Sequence, residues 1–352
     1  TLKFVMASTD STALGSHLSR GQVIPAMPLA LDENREWDKR YQRALARYYV
    51  EAGAGGIAVG VHSTQFEIRE PKHTLFEPVL EFCAQSIDDC VEEHSNFVRI
   101  AGVCGTTEQA SREARFASDH GYDAALLSLT ALADADDIAL IQHCKTIGEI
   151  IPLIGFYLQP TIGGRTYEYS FWRRFVEIPS VVAIKVAPFD RYATLEVVRA
   201  LADSGREDVY LYTGNDDNII HDLLSTFSFA GKELRFVGGL LGQWAIGTQK
   251  AVELLKRIQS GEGSIAEWTI ANAELTDLNG AIFDPTNGFS GCLSGMNEML
   301  RRDRLLPSHL CLEESEQLSP GQAEELDRVT AAYPHLLDRE FIAENLNRWL
   351  NE

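Results

Sequence analysis

The chain has 352 residues, 45% of them hydrophobic and 23% charged, which is the composition of a globular enzyme with one large domain or two ordinary ones. Its 51 acidic and 31 basic side chains give a formal net charge of -20, and this acidity disfavours nucleic acid as a partner, because binding to phosphates needs a basic surface. The six cysteines form no C-x-x-C pair, and the sequence shows neither an apolar signal-peptide segment nor a run long enough to cross a membrane. These features predict a reduced, cytoplasmic protein that does not associate with membranes.

Short apolar segments alternate with longer amphipathic segments through roughly the first two thirds of the chain. Eight apolar segments predict β-strands, at residues 22–27, 56–61, 97–103, 123–129, 152–158, 181–187, 208–214 and 234–240. Between them, apolar residues recur at helical spacing, as at 37–53, 106–121 and 191–205. Thr106 and Gln109 form a capping-box pattern at a helix start, and Gly205 stands where a helix is expected to end.

Eight nearly continuously apolar strands, each followed by a helix, predict an α/β fold of the (β/α)8 TIM barrel type. An open doubly wound sheet is the alternative, but no strand is followed by a G-x-G-x-x-G or Walker-A sequence. The pattern after the eighth strand is helical throughout. We therefore divide the chain into an N-terminal segment (1–20), the barrel (21–242) and a C-terminal helical region packed on the barrel (243–352).

A single lysine interrupts the sixth predicted strand. Lys185 lies in the segment VVAIKVA, and the active site of a (β/α)8 barrel lies at the C-terminal ends of its strands. A lysine in such surroundings needs a carboxylate partner or a lowered pKa, and a neutral amine can form a Schiff base with a 2-oxo acid. A structural ion pair explains the residue equally well on composition alone. Tyr157, at the end of the fifth predicted strand, precedes Lys185 by 28 residues.

The segment GFYLQP (155–160), followed at this distance by Lys185, resembles the pyruvate-dependent class I aldolases of the dihydrodipicolinate synthase and N-acetylneuraminate lyase family, as a divergent member. In that family a Y-N-x-P strand end supplies a tyrosine and a G-I-K strand supplies a lysine. The resemblance implies a Schiff-base lyase or aldolase that makes or cleaves a C–C bond next to a 2-oxo acid, with pyruvate as the expected acid. Lys185 would form the enamine, and Tyr157 would move protons. An aldehyde partner, no cofactor beyond the covalent adduct, and a homo-oligomer (dimer or tetramer) are implied as well.

The resemblance also assigns substrate-binding candidates. The family's second strand ends in two small hydroxyl residues that hold the substrate carboxylate, and this pair falls here on His62 and Ser63, followed by Thr64 and Gln65. Arg165, in a loop after the fifth strand, has a guanidinium group suited to a second carboxylate. The remaining candidates follow or lie in the seventh and eighth strands: Thr213, Gly214, Gly238 and Gly239. Asn215 and Asp216 are interpreted as helix-capping residues.

Departures from the family pattern leave alternatives open. The chain has Leu129 to Leu132 where the synthase has a tyrosine of its proton relay, so we disfavour a dihydrodipicolinate synthase-like condensation. A dehydratase acting on a sugar-derived 2-oxo acid is a further alternative, and a non-catalytic barrel that binds a 2-oxo acid is the alternative from another class. The nine histidines form no H-x-x-x-H or H-E-x-x-H pattern, so we expect no metal site.

Overall fold

The computed structural model describes residues 11–91 and 96–351; residues 1–10 of the predicted N-terminal segment lie outside the described residues. Eight parallel strands form a nearly closed barrel, in the order β1-β10-β7-β6-β5-β4-β3-β2. They are β1 (Val23–Pro25), β2 (Gly56–Val59), β3 (Val98–Val103), β4 (Ala124–Leu127), β5 (Leu153–Leu158), β6 (Val181–Ala187), β7 (Tyr210–Thr213) and β10 (Phe236–Leu241). A parallel bridge between Ala26 and Ala58 joins the two ends of the sheet. The predicted TIM barrel is confirmed.

Each of the eight predicted strands overlaps an observed one. A short antiparallel hairpin, β8 (Phe227–Phe229) and β9 (Lys232–Leu234), precedes the eighth barrel strand and was not predicted. Its strands have three residues each, and the turn between them uses positive φ angles at Ala230 (50°) and Gly231 (74°). A hairpin this short leaves little alternation in the sequence from which to recognise it.

Helices surround the barrel. Those between its strands are α2 (Lys39–Glu51), α3 (Phe76–Asp88), α4 (Thr107–Asp119), α5 (Asp137–Gly148), α6 (Tyr169–Phe175), α7 (Arg191–Ser204) and α8 (Ile219–Leu224). The predicted C-cap forms at α7, and at α4 the Thr106 half of the predicted capping box forms, while the Gln109 side chain donates to Glu113. The Gln109 N–H donates to Thr106 Oγ1 at 3.4 Å, and Gly205 ends α7 with a φ of +76°, a conformation that glycine adopts without the strain that a Cβ would add.

The first helix, α1 (Ser11–Ser19), closes the N-terminal end of the barrel. Leu14 and Leu18 pack within the same apolar cluster as the residues inside the barrel. The Tyr212 hydroxyl on β7 donates to the Leu18 carbonyl at 2.8 Å, which ties the helix to the strands. Ligands therefore reach the barrel interior from the opposite end.

Five helices follow the last barrel strand: α9 (Thr248–Gln259), α10 (Ile265–Phe283), α11 (Cys292–Arg302), α12 (Gln322–Ala332) and α13 (Arg339–Asn351). Helix α9 packs against β1, and α13 packs against α2. The turn between α10 and α11 and the start of α11 lie over the C-terminal ends of the strands. Within residues 11–91 and 96–351, no helix combines the length and apolar character needed to span a bilayer.

Alternate residues of each strand face the barrel interior or the surrounding helices. On β5, Ile154, Phe156 and Leu158 belong to the interior cluster, whereas Tyr157 belongs to the cluster between the strands and the helices. Lys185 pairs in register with Phe156, so both side chains lie on the inner face. This alternation decides which of the predicted site residues can meet.

Candidate active site

A cleft opens at the C-terminal ends of the barrel strands. Its empty volume is about 670 Å³, which includes its open mouth. Most of its lining is apolar, glycine or cysteine. The polar side chains that line it are His62, Ser63, Gln159, Lys185 and Asp216. These five side chains lie at the C-terminal ends of the strands, where the active sites of (β/α)8 barrels are found.

Lys185 extends from the inner face of β6 into this cleft. Its Nζ lies 4.6 Å from the centroid of the Phe156 ring. Burial lowers the pKa of the amine to about 8, and the negative charge of Asp216 opposes this shift. Among the described residues, no carboxylate forms a salt bridge with Nζ. The structure therefore does not support the structural ion pair that was an alternative explanation for Lys185.

Gly214, directly after β7, gives the lysine its space. A Cβ at this position would lie 2.7 Å from Cε of Lys185 and 2.8 Å from Cβ of Ala187, closer than such atoms approach in proteins. Gly214 lines the cleft, and its predicted role in substrate binding stays a prediction. Its role beside Lys185 is steric, since the absent side chain is what lets Lys185 lie across the end of β7.

Asp216 is one of two polar cleft residues that were not among the candidates from the sequence. The first turn of α8 begins after Asn218, so Asp216 does not cap it, and its side chain lines the cleft. Burial raises the pKa of its carboxyl group to about 7, against the opposing effect of Lys185. Oδ1 is buried without a hydrogen-bond partner among the described residues, and Asn279 Nδ2 donates to its backbone carbonyl at 2.7 Å. Only the folded arrangement reveals this burial.

The short helix His62–Thr64 follows β2 and presents two of the predicted residues to the cleft. Burial, together with the positive charge of Lys185, lowers the pKa of His62 to about 4, so its imidazole is neutral near pH 7. Ser63 Oγ makes only a long hydrogen bond, 3.3 Å, to the Met27 carbonyl. Thr64 is different, because its hydroxyl donates to Met27 O at 2.7 Å and accepts the Gly60 N–H at 2.9 Å. Thr64 therefore holds the loop in place and does not line the cleft.

Gln159 is a second residue that sequence reasoning missed. It follows β5, is buried, and lines the cleft. Its Nε2 has no hydrogen-bond acceptor among the described residues, and a buried donor without a partner is costly unless a ligand or water satisfies it. The signal available in the sequence was a polar residue directly after a buried strand.

Tyr157 lies on the face of β5 opposite the one beside Lys185, and its role as proton shuttle stays a prediction. Its ring faces the helices and packs against Trp172 at 5.2 Å between centroids. The Tyr167 N–H donates to its hydroxyl oxygen at 3.2 Å. The motif spacing was right, but Phe156 rather than Tyr157 occupies the inner face of β5 beside the lysine.

Arg165 is also held away from the cleft. Its guanidinium group donates to the carbonyls of Ala133 and Ala135 at 3.0 and 2.7 Å. The same group lies 5.1 Å from the centroid of the Tyr167 ring. In this structure Arg165 joins two loops, and the predicted clamp for a second carboxylate stays a prediction.

Three further candidates have structural positions outside the cleft. Thr213 faces outward and donates to Asp222 Oδ2 at 2.6 Å. Gly238 and Gly239 lie within β10, before its end, where a Cβ would meet other atoms at 2.4 and 2.6 Å respectively. These two glycines permit close packing inside the barrel wall. Gly242, which follows β10, is the glycine that lines the cleft at this strand.

One group of potential metal ligands exists among residues 11–91 and 96–351: Glu70, His73 and Glu313. It lies on the surface, away from the cleft. Lys72 forms ion pairs with both glutamates, so a cation already neutralises their charge. The expectation that the protein has no metal site stays a prediction.

A family model described as the dihydrodipicolinate synthetase family matches residues 19–287. The chain belongs to this family. An N-acetylneuraminate lyase from Citrobacter koseri is 24% identical over 253 residues, which are 70% of this chain and 76% of the lyase. A 4-hydroxy-tetrahydrodipicolinate synthase from Desulforudis audaxviator is 26% identical over 200 residues, 56% of this chain and 63% of the synthase.

Solved structures of dihydrodipicolinate synthetase family members share the fold. A prophage protein of this family from E. coli K12, in complex with pyruvate, has a TM-score of 0.71 at 15% identity, over 91% of this chain and 99% of that chain. The resemblance inferred from the sequence is confirmed as a family relationship. Membership supports an enzyme of the class I aldolase or lyase type, and the particular reaction has to be argued from the cleft.

Proposed function

We propose that this protein is a class I lyase that makes or cleaves a C–C bond next to a 2-oxo acid, with pyruvate as the acid, through a Schiff base on Lys185. The observation that carries the proposal is an amine with a pKa of about 8 inside the cleft at the strand ends. About a tenth of such an amine is neutral at pH 7, and the neutral form is the nucleophile. The family relationship and the pyruvate complex of a structural relative favour this acid.

The chemistry uses the lysine itself as the catalytic group. Nζ attacks the carbonyl carbon of pyruvate, and the carbinolamine loses water to give an iminium ion. The iminium accepts electrons from the neighbouring carbon, so this carbon loses a proton to form an enamine or loses a C–C bond in the reverse direction. Hydrolysis of the iminium returns the free amine, and no further cofactor is needed.

In this proposal Asp216 has the proton-transfer role that the family resemblance implied for Tyr157. Its carboxyl pKa of about 7 allows it both to give and to take a proton near neutral pH, and it lines the same cleft as Lys185. The neutral imidazole of His62 is a second group able to hydrogen-bond there. Ser63 Oγ and Gln159 Nε2 supply donors for the substrate carboxylate, which replace the displaced Arg165.

Reductive trapping tests this proposal. Incubation with pyruvate and borohydride should attach a reduced adduct to Lys185, located by mass spectrometry of peptides. Lys185→Met should abolish the adduct, whereas the matched surface change Lys250→Met should leave it unchanged, because Lys250 pairs with Glu253 on α9. An adduct that is absent, or that forms on other lysines, would refute the mechanism.

The alternatives give different results in the same assays. A lyase releases an aldehyde and a dehydratase does not, so aldehyde detection separates the two. Dihydrodipicolinate synthase-like condensation would require a charged aldehyde partner. A non-catalytic barrel would bind pyruvate with an affinity unaffected by Lys185→Ala. The homo-oligomer and the cytoplasmic location stay predictions, and sedimentation of the purified protein measures the former.

A further inference from the structure

The cleft has an apolar mouth that the proposed Schiff-base chemistry does not use. Three phenylalanines line this part: Phe189 in the loop after β6, Phe283 at the C-terminal end of α10, and Phe289 between α10 and α11. Leu293 and Met296, on α11, complete the wall. These residues follow the barrel strand β6 or lie in the region of α10 and α11, on the side of the cleft where we place the partner of the 2-oxo acid. Their chemistry therefore bears on that partner.

Two of these rings are held in a costly backbone conformation. Phe189 and Phe289 have φ angles of +53° and +67°, which bulky residues rarely adopt. The Phe189 N–H donates to Asn215 Oδ1 at 3.0 Å, and the Phe289 N–H donates to the Asp284 carbonyl at 2.9 Å. The rings contact each other, with centroids 5.7 Å apart. Glycine would relieve this strain at both positions, so the aromatic rings themselves have a function there, as strained residues at sites often do.

The polar groups of the cleft are too few for a polyhydroxylated or charged partner. Of the five polar side chains that line the cleft, Lys185 and Asp216 serve the proposed Schiff-base chemistry, and Ser63 and Gln159 bind the 2-oxo acid. The neutral imidazole of His62 is then the polar side chain left for the partner. A sugar chain would bury most of its hydroxyl groups against phenyl rings without hydrogen-bond partners, which is unfavourable. An aromatic ring would instead stack against Phe189 and Phe289, a favourable contact.

We infer that the second substrate is an aldehyde with an aromatic or branched apolar side chain. This inference rests on the proposed Schiff-base function. The former methyl carbon of pyruvate, as the enamine, attacks the aldehyde carbon and forms the new C–C bond. The carbonyl electron pair moves to the aldehyde oxygen, which takes a proton, and the nitrogen becomes an iminium again. Water then releases Lys185, so that pyruvate and the aldehyde give a 4-hydroxy-2-oxo acid.

Condensation of pyruvate with benzaldehyde and with glyceraldehyde tests the inference on the unmodified protein. The expected result is a kcat/KM for benzaldehyde at least about tenfold above that for glyceraldehyde, a size typical of apolar pocket contacts. Phe189→Gly and Phe289→Gly should each reduce this ratio by about tenfold. Ala230→Gly is the matched control, because it also places glycine at a positive φ, +50°, but in the hairpin turn away from the cleft.

Borohydride trapping separates the possible failures. If pyruvate labels Lys185 and glyceraldehyde is used as well as benzaldehyde or better, the inference is overturned and the Schiff-base function stands. If no adduct forms on Lys185, the proposed function fails and the inference fails with it. The aldehyde comparison on the unmodified protein remains decisive even if a phenylalanine variant does not fold.

Discussion

Three titratable groups lie together in one mainly apolar cleft, and the proposed chemistry uses them. Burial lowers the pKa of Lys185 to about 8, raises that of Asp216 to about 7 and lowers that of His62 to about 4. In each case burial favours the neutral form. The amine and the carboxyl group thus have pKa values close together. Proton transfer between these groups and a substrate therefore involves only a small free-energy difference near neutral pH.

Adduct formation should rise with pH. The neutral amine is the nucleophile, so the initial rate of pyruvate adduct formation on Lys185 should increase through about pH 8 and then level off. The Asp216 carboxylate favours the protonated amine, so Asp216→Asn should lower the pKa of Lys185 and move the rise to lower pH. Quenching with borohydride at fixed times between pH 5.5 and 9.5 measures both profiles. A midpoint that stays in place or moves upward in Asp216→Asn would contradict the electrostatic coupling.

Lys185 could be found from the sequence and Asp216 could not. A lysine surrounded by valine, alanine and isoleucine in VVAIKVA stands out because its burial needs an explanation. Asp216 stands in a loop beside polar residues, where capping of a helix is the ordinary interpretation. Its burial depends on α10, which lies more than 60 residues away in the chain, as the bond from Asn279 shows. The residues next to Asp216 in the sequence do not indicate this contact with Asn279.

At the scale of the element, the position of Tyr157 relative to Lys185 depends on which face of β5 each side chain occupies. Phe156 and Tyr157 are consecutive aromatic residues, and an entirely apolar strand shows no alternation that would tell the inner face from the outer one. The outer face is set by α6 and the loop before it, where Trp172 and Tyr167 enclose the Tyr157 ring. The motif located the strand and its end correctly but not the direction of its side chains.

Tyr157→Phe should therefore affect stability and spare adduct formation. Loss of the hydroxyl leaves the buried Tyr167 N–H without its acceptor, at an expected cost of about 1–2 kcal/mol in the free energy of unfolding. Tyr122→Phe is the matched control, since its hydroxyl also bonds a backbone group in the outer layer, Leu80 O at 2.9 Å. Urea unfolding and borohydride trapping measure the two effects. A hundredfold loss of trapping with unchanged stability would instead support Tyr157 as the proton shuttle.

At the scale of the whole molecule, the barrel could be predicted because its signal is repeated eight times. Errors of a residue or two at strand ends do not alter the count of strands or their parallel order. The position of the C-terminal helices could not be predicted in the same way. An amphipathic helix shows which of its faces is buried but not which surface covers it, so the contribution of α11 to the cleft was not foreseen.

Net charge gives a further prediction at this scale. A chain of charge -20 repels pyruvate over distances comparable to the Debye length, about 10 Å at 0.1 M salt. Raising the ionic strength from about 10 to 200 mM should therefore increase the second-order rate of adduct formation about twofold. Methyl pyruvate, which is neutral, should show no such dependence. A rate for pyruvate that falls with salt would mean that the local positive charge of Lys185 outweighs the rest of the molecule.

The placement of α11 over the cleft has a consequence for redesign. The proposed nucleophile, Lys185, and its neighbours belong to the barrel strands and the loops that follow them, whereas much of the wall around the mouth belongs to the α10–α11 segment, about a hundred residues farther along the chain. In the proposed function, the residues for the reaction and those for the choice of aldehyde therefore lie in largely separate parts of the sequence. A chimera that exchanges the segment from Phe283 to Met296 should change which aldehydes are accepted and leave pyruvate trapping on Lys185 unchanged.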